Sequence, residues 1–354
     1  SFTGDLLCHL GYTNAEIVQR VRKIPFETTF REQALYSNIG FFLAGELTAK
    51  ASGMTWKEWI NKEFIRPLGM SRTGFNPLLE DKNTAASHGK VDGKIRTIER
   101  NVDNHFTAAG GVVSCAADLA KWMQLFLQKG KGILSEETVK QLFTPAMVAQ
   151  PGFTEVSPIN ASPFFCYSLG WGNYVYKDQL ILEKGGALDG VRTIVVLVPG
   201  MDMGIAVLCN LNLCLFPEKV RAKCLELVIG PSGTNMQAEI SRLSKEIAGL
   251  ISPPEPIEHP LPSRPLAAYT GEYESALYGT AQIKLTQDQL EFVIGPAHYP
   301  GTLKHYSSDT FLLAWPLLNL GISKAAFTLD PQGNALYLTI EEFGTFTRKK
   351  TSDH

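Results

Sequence analysis

Six prolines, Pro253, Pro254, Pro256, Pro260, Pro262 and Pro265, fall within thirteen residues. Each fixes its own φ and lacks an N–H, so no helix continues through the run. It reads as a stiff extended linker over residues 253–265 that divides the 354-residue chain into a unit at 1–252 and a smaller one at 266–354.

The two sides differ in period. Before the linker, Ile17, Val18 and Val21 recur at helical spacing behind Thr13 and Asn14. Residues 37–52 read as a buried helix, with Ile39, Phe41, Phe42, Leu43, Ala44 and Leu47 covering more than one face and Gly53 at the left-handed cap. Thr55 and Glu58 have capping-box spacing for a helix over 56–66 that Pro67 stops. Residues 74–112, rich in Gly, Asn and Asp, predict long loops and a hairpin at Asp92-Gly93. Ser114 is read as the cap of a helix ended by Gly130, and Ser135 as the cap of one running to Phe143. From Ser168 the period falls to two. Residues 180–182, 193–198 and 203–211 are β-branched runs between Gly-rich or Pro-Gly turns and predict antiparallel strands; a helical stretch over 217–251, broken near 230–233, closes the unit. Helices, then sheet, then helix imply an α+β fold. Beyond the linker, short alternating runs at 282–285, 290–294, 311–315 and 335–340 predict a small antiparallel β-barrel or sandwich.

Composition narrows the partners. Lys plus Arg (33) nearly match Asp plus Glu (35), giving net charge -2. Without a basic surplus, nucleic acid is excluded as a partner held by charge neutralisation. The longest apolar stretch, 203–216, is interrupted by Asn210 and Asn212 and is too short for a transmembrane segment. Six scattered cysteines form no Cys-x-x-Cys pair and no zinc pattern, so they read as free thiols.

Two short motifs carry chemistry: Tyr36-Ser37-Asn38 between a loop and a buried helix, and Lys184-Gly185-Gly186 ahead of a strand. Tyr12-Thr13-Asn14 repeats the first spacing, but there the Tyr merely precedes a helix cap. The two motifs resemble the second and third motifs of the penicillin-recognising serine hydrolases, which include class C β-lactamases, D-alanyl-D-alanine peptidases, esterases and D-amino-acid peptidases. Pro67-Leu68-Gly69-Met70, Ala109-Gly110-Gly111, Asp118-Leu119 and Leu169-Gly170-Trp171 resemble further stretches of that family, in the same order, over residues 1–230.

The resemblance implies a β-lactamase-like antiparallel sheet flanked by helices and an appended barrel. It implies a serine acyl hydrolase that acts on a small-molecule or peptide substrate without metal or organic cofactor, in the cell envelope or periplasm. Tyr36 is then the general base and acid, and Asn38 hydrogen-bonds a nucleophile-side Lys or the substrate amide. Lys184, on the sheet edge, supports the Tyr and binds a substrate carboxylate. Gly186 lets substrate approach closely, and the Ala187 N–H is an oxyanion donor. Gly185 departs from the more usual Thr or Ser and removes a hydroxyl. The chemistry accounts for the residue types: a phenol of pKa about 10 serves as base only where ammonium groups stabilise its phenolate, and the tetrahedral oxyanion needs positioned donors.

The family nucleophile lies in a Ser-x-x-Lys ahead of the Tyr motif. The single such spacing, Ser87-His88-Gly89-Lys90, follows it and lies in a loop. The expectation is therefore an N-terminally incomplete catalytic unit, inactive alone, with an apolar surface beside the Tyr36 helix. The alternative is a non-catalytic protein that binds a peptidoglycan peptide or a protein partner in the cleft.

Overall fold

The computed structural model describes residues 4–26, 28–75, 81–91, 93–99, 106–149, 165–231, 233, 235–251, 253–261 and 263–349. Two compact units form: one spans Phe26–Ile247, and the other joins Phe2–Pro25 to Ala248–His354.

The first helix, α1 (Asn14–Val21), starts at a complete Thr13/Glu16 capping box. Helix α2 (Asn38–Ser52) begins directly after Tyr36-Ser37 and ends at Gly53 with φ 69°. Helix α3 (Trp56–Ile60) is capped by Thr55 and Glu58 and widens into a π turn at Asn61–Ile65, before Pro67. Strands β1 (His88–Val91) and β2 (Lys94–Thr97) pair antiparallel as an expected hairpin; Asp92 lies outside the described residues. A short α4 (Thr107–Gly110) precedes α5 (Ala116–Leu127) and α6 (Glu136–Phe143). Ser135 caps α6, but Cys115 rather than Ser114 stands at the start of α5. The Ser114 hydroxyl instead meets that of Thr73 at 2.7 Å.

A six-stranded antiparallel sheet follows in simple order: β3 (Met147–Ala149), β4 (Phe165–Tyr167), β5 (Gly172–Tyr176), β6 (Gln179–Leu188), β7 (Val191–Val198) and β8 (Met203–Cys209). Both faces of β6 and β7 carry apolar residues that pack against helices. Ile181, Ile194, Val196 and Val198 pack with Leu225 of α7 (Phe216–Ile229). Leu182 and Leu197 pack with Met123, Leu125 and Phe126 of α5. Full burial of each such side chain contributes roughly 1.5–3 kcal/mol relative to exposure. Helix α8 (Met236–Ile251) adds Ile240, which packs with Leu215.

The strand carrying Lys184 differs from the sequence reading. Residues 185–188 continue β6 instead of turning, and β6 is an interior strand, not a sheet edge. Pairing with β7 from Leu182 to Leu188 overrides the low strand propensity of the two glycines.

The second unit is a closed eight-stranded antiparallel barrel. It contains β9 (Gly271–Ser275), β10 (Gly279–Thr286), β11 (Gln289–Ile294), β12 (Tyr299–Ser307), β13 (Thr310–Ala314), β14 (Ile322–Leu329), β15 (Ala335–Ile340) and β16 (Gly344–Arg348), closed by β16 on β9. Alternate side chains fill it, among them Tyr273, Phe292, Phe311, Leu313, Leu338 and Phe346.

The N-terminal residues, expected in the unit at 1–252, pack with the barrel. The Leu10 carbonyl accepts from the Ala297 N–H at 2.8 Å, and the Tyr12 hydroxyl donates to the Tyr278 carbonyl at 3.0 Å. Leu6, Leu7 and Leu10 are buried there. The proline run also lies on the barrel: Leu261 exchanges hydrogen bonds with Ser307 and Ser308, and the Glu255 carbonyl accepts from the Tyr306 hydroxyl.

Candidate active site

Tyr36, Asn38 and Lys184 come together, although the last is 148 residues from the first. Tyr36 lies in irregular chain just ahead of the extended N-cap Ser37, and Asn38 is the first residue of α2, so Tyr36 and Asn38 flank the helix start. The Tyr36 hydroxyl donates to Asn38 Oδ1 at 3.1 Å and accepts from Lys184 Nζ at 3.2 Å. Asn38 thus contacts the Tyr36 phenol itself, a contact the sequence did not anticipate.

Two residues that sequence reasoning missed also lie around the ammonium. Tyr167, on β4, accepts from Lys184 Nζ at 2.9 Å. Lys184 Nζ stands 4.4 Å from the Tyr36 ring centroid, 5.0 Å from that of Phe41 and 5.5 Å from that of Tyr167, within cation–π range of all three. The Tyr36 and Tyr167 rings meet edge to face at 6.4 Å. Burial, then the neighbouring Tyr36, pushes the Tyr167 phenol well above its ordinary range. The signal for Tyr167 was its place two residues before Leu169-Gly170-Trp171; Phe41 had been read only as helix core.

Gly186 and Ala187 lie two and three residues beyond Lys184 on β6, opposite Thr193 and Arg192 of β7. A Cβ on Gly186 would stand 2.7 Å from the Thr193 hydroxyl, so this position admits no side chain without a shift. Ser87, the residue with Ser-x-x-Lys spacing, is buried just before β1 rather than at a helix start. Its Cβ lies 2.3 Å from where a Cβ on Gly190 would be, and Gly190 has φ 83°. Ser87 therefore packs on the turn after β6.

Behind β6 lies a buried charge cluster. Glu183 Oε2 accepts from Arg221 Nη1 of α7 at 2.5 Å and from the Tyr174 hydroxyl at 3.0 Å. Arg192 of β7 pairs with Glu218 of α7 at 2.8 Å. Among the described residues no cluster of His, Cys, Asp or Glu could hold a metal ion. No described helix is long and apolar enough to cross a membrane.

An antiparallel sheet between helices, with a Tyr-x-Asn at a helix start facing a Lys on an interior strand, is the arrangement of a class of serine hydrolases. The family model described as Beta-lactamase matches residues 1–222, and the chain belongs to that family. Residues 255–352 match a domain of unknown function, DUF3471. Unguisins hydrolase ungD of Aspergillus violaceofuscus is 23% identical over 365 residues, 91% of this chain and 63% of the fungal protein. D-alanyl-D-alanine-carboxypeptidase/endopeptidase AmpH of Escherichia coli is 27% identical over 180 residues, 49% of this chain and 44% of AmpH. The chain thus spans less than two thirds of the length of either relative. The octameric penicillin-binding protein homologue from Pyrococcus abyssi shares the fold, with TM-score 0.55 at 20% identity, over 95% of this chain and 70% of that one.

Proposed function

We propose that the Phe26–Ile247 unit supplies the proton-transfer half of a serine acyl-transfer site. The supporting observation is the hydrogen bond that Lys184 Nζ donates to the Tyr36 hydroxyl at 3.2 Å. In this reading the Tyr36 phenolate takes the proton of a serine hydroxyl as that oxygen attacks an amide, ester or lactam carbonyl. Tyr36 then returns the proton to the leaving nitrogen or oxygen. Lys184 stabilises the phenolate, and the Ala187 N–H donates to the oxyanion. Water reverses the sequence and releases the acyl group. Gly185 offers no hydroxyl for a substrate carboxylate, which favours peptide amides and esters over β-lactams.

The serine is proposed to come from a Ser-x-x-Lys outside residues 1–354. In support, Phe30 and Leu35 ahead of α2 and Leu47 within it are exposed by 88%, 44% and 67%, apolar surface that a further segment would cover.

The test uses the full-length protein with a p-nitrophenyl ester and a D-alanyl peptide, read by mass spectrometry for an acyl-enzyme. The reading expects acylation at a serine upstream of Ser1, slowed 10²–10⁴-fold by Tyr36→Phe. Acylation of residues 1–354 alone, at Ser87, would overturn the assignment. A full-length protein that is never acylated but retains peptide would support the non-catalytic alternative.

A further inference from the structure

We propose that Tyr167 is a positioning residue: its hydroxyl holds the Lys184 ammonium at the Tyr36 hydroxyl. The inference rests on the reading of Tyr36 and Lys184 given above, and extends it to a residue on a different strand.

A lysine side chain has four rotatable bonds and a strongly hydrated head, so left to itself it samples many positions around a phenol. A cation that stabilises a phenolate must instead be held in one place. A carboxylate holder would fix it but would neutralise much of its field. A neutral oxygen acceptor fixes it and leaves the charge available. Tyr167 meets that description. Its oxygen lies 2.9 Å from Lys184 Nζ, closer than the 3.2 Å of Tyr36. An ammonium has three donors, so it serves both phenols at once.

The two phenols differ in environment. Tyr167 is held on a paired strand, its backbone in register with Gly172 of β5, which pairs in turn with Glu183 beside Lys184. Its burial favours the protonated phenol, so it stays an uncharged acceptor through the neutral range. Tyr36 sits at a helix start with Asn38 on its hydroxyl. One ammonium between two phenols in unlike settings divides the roles, one oxygen as holder and the other as reacting group. The rings of Tyr36, Phe41 and Tyr167 around Nζ add attraction without geometric precision, because cation–π contacts are broad while the hydrogen bond is directional.

The test reads Lys184 directly and needs no turnover. The full-length protein is labelled at lysine Cε, and Lys184 is assigned by the signal lost in Lys184→Arg. In the wild type, ring currents from the three aromatics are expected to shift the Lys184 ε-methylene protons upfield and separate them. Tyr167→Phe keeps the ring but lacks the hydroxyl. The proposal expects its two ε-proton signals to merge and move most of the way to the ordinary lysine position, while Tyr36→Phe leaves them separate. An unchanged Lys184 signal in Tyr167→Phe overturns the proposal, since the ammonium would then keep its place without the Tyr167 hydroxyl.

In the full-length protein, Tyr167→Phe is expected to slow acylation about tenfold with substrate binding unchanged. If the Lys184 signal collapses but the wild-type protein transfers no acyl group, positioning stands and the hydrolase reading falls. If acylation proceeds and the Lys184 signal is indifferent to Tyr167, the hydrolase reading stands and positioning falls.

Discussion

Glu183 and Lys184 are consecutive residues of β6 whose charges go to opposite faces of the sheet. The Glu183 carboxylate is sealed under α7 against Arg221, with both side chains at most 3% exposed. The Lys184 ammonium lies among Tyr36, Phe41 and Tyr167. Strand alternation makes this separation automatic. It also keeps the carboxylate from quenching the lysine one position along.

Removing one partner of the buried pair is expected to be costly. Arg221→Met leaves the Glu183 carboxylate buried with only the Tyr174 hydroxyl, and Glu183 Oε1 already lacks a partner. The expected loss is about 3–5 kcal/mol in urea unfolding. A Glu183→Leu/Arg221→Met double variant is expected to lose less than the two single losses combined, because it leaves no uncompensated charge. Additive losses would show that the two side chains do not act as a pair.

Acid sensitivity is expected at Asp118. Burial alone would raise its carboxyl, but hydrogen bonds from Lys121, the Arg72 N–H and the Thr73 hydroxyl outweigh it and hold the carboxyl below its ordinary value of 3.8. A carboxyl that binds its proton less readily when folded stabilises the fold fully above the unfolded value. That contribution fades as pH falls below about 3.8 through the folded value. Asp118→Asn is therefore expected to flatten the stability curve between pH 5 and 2 and to cost about 1–3 kcal/mol at neutral pH. A variant whose acid unfolding profile matches the wild type would remove Asp118 from this role.

The thiols of Cys209, at the end of β8, and Cys214, before α7, are 3.3 Å apart. Excess oxidised glutathione is expected to join them, each protein disulfide formed leaving two reduced glutathione molecules. Burial pushes the Cys214 thiol up to about 11, so the exchange should be slow at neutral pH and quicken with alkalinity. Titratable thiols in the unfolded protein should fall from six to four, with no change in Cys209→Ser. Six remaining thiols after prolonged oxidation would mean the loop between them cannot close.

Much of the fold could be read from the sequence because local rules and long-range packing agree there. Thr13, Thr55 and Ser135 cap the helices they were expected to cap, and the barrel strands follow alternation. Tyr36 and Lys184 were legible because each sits in a short motif. Tyr167 was not, since one aromatic in a three-residue strand looks like any half-buried wall residue. Lys184-Gly185-Gly186 looked like the approach to a turn because local propensity cannot register partners on both sides of an interior strand. Glu183 and Arg221 belong to ordinary strand and helix patterns until the sheet brings them together. Ser114 illustrates the reverse case: a good capping residue taken up by a tertiary contact with Thr73.

Tyr12 and Tyr278 join the barrel unit across 266 residues. Closing a flexible loop of that length costs about 5 kcal/mol plus a constant. The stretch that contains Leu6, Leu7 and Leu10 is synthesised before the strands that bury it, which follow roughly 15–70 s later at ordinary translation speeds. Through that interval these leucines are exposed apolar surface. Leu6, Leu7 and Leu10 therefore need protection during synthesis that the finished unit later supplies by burying them.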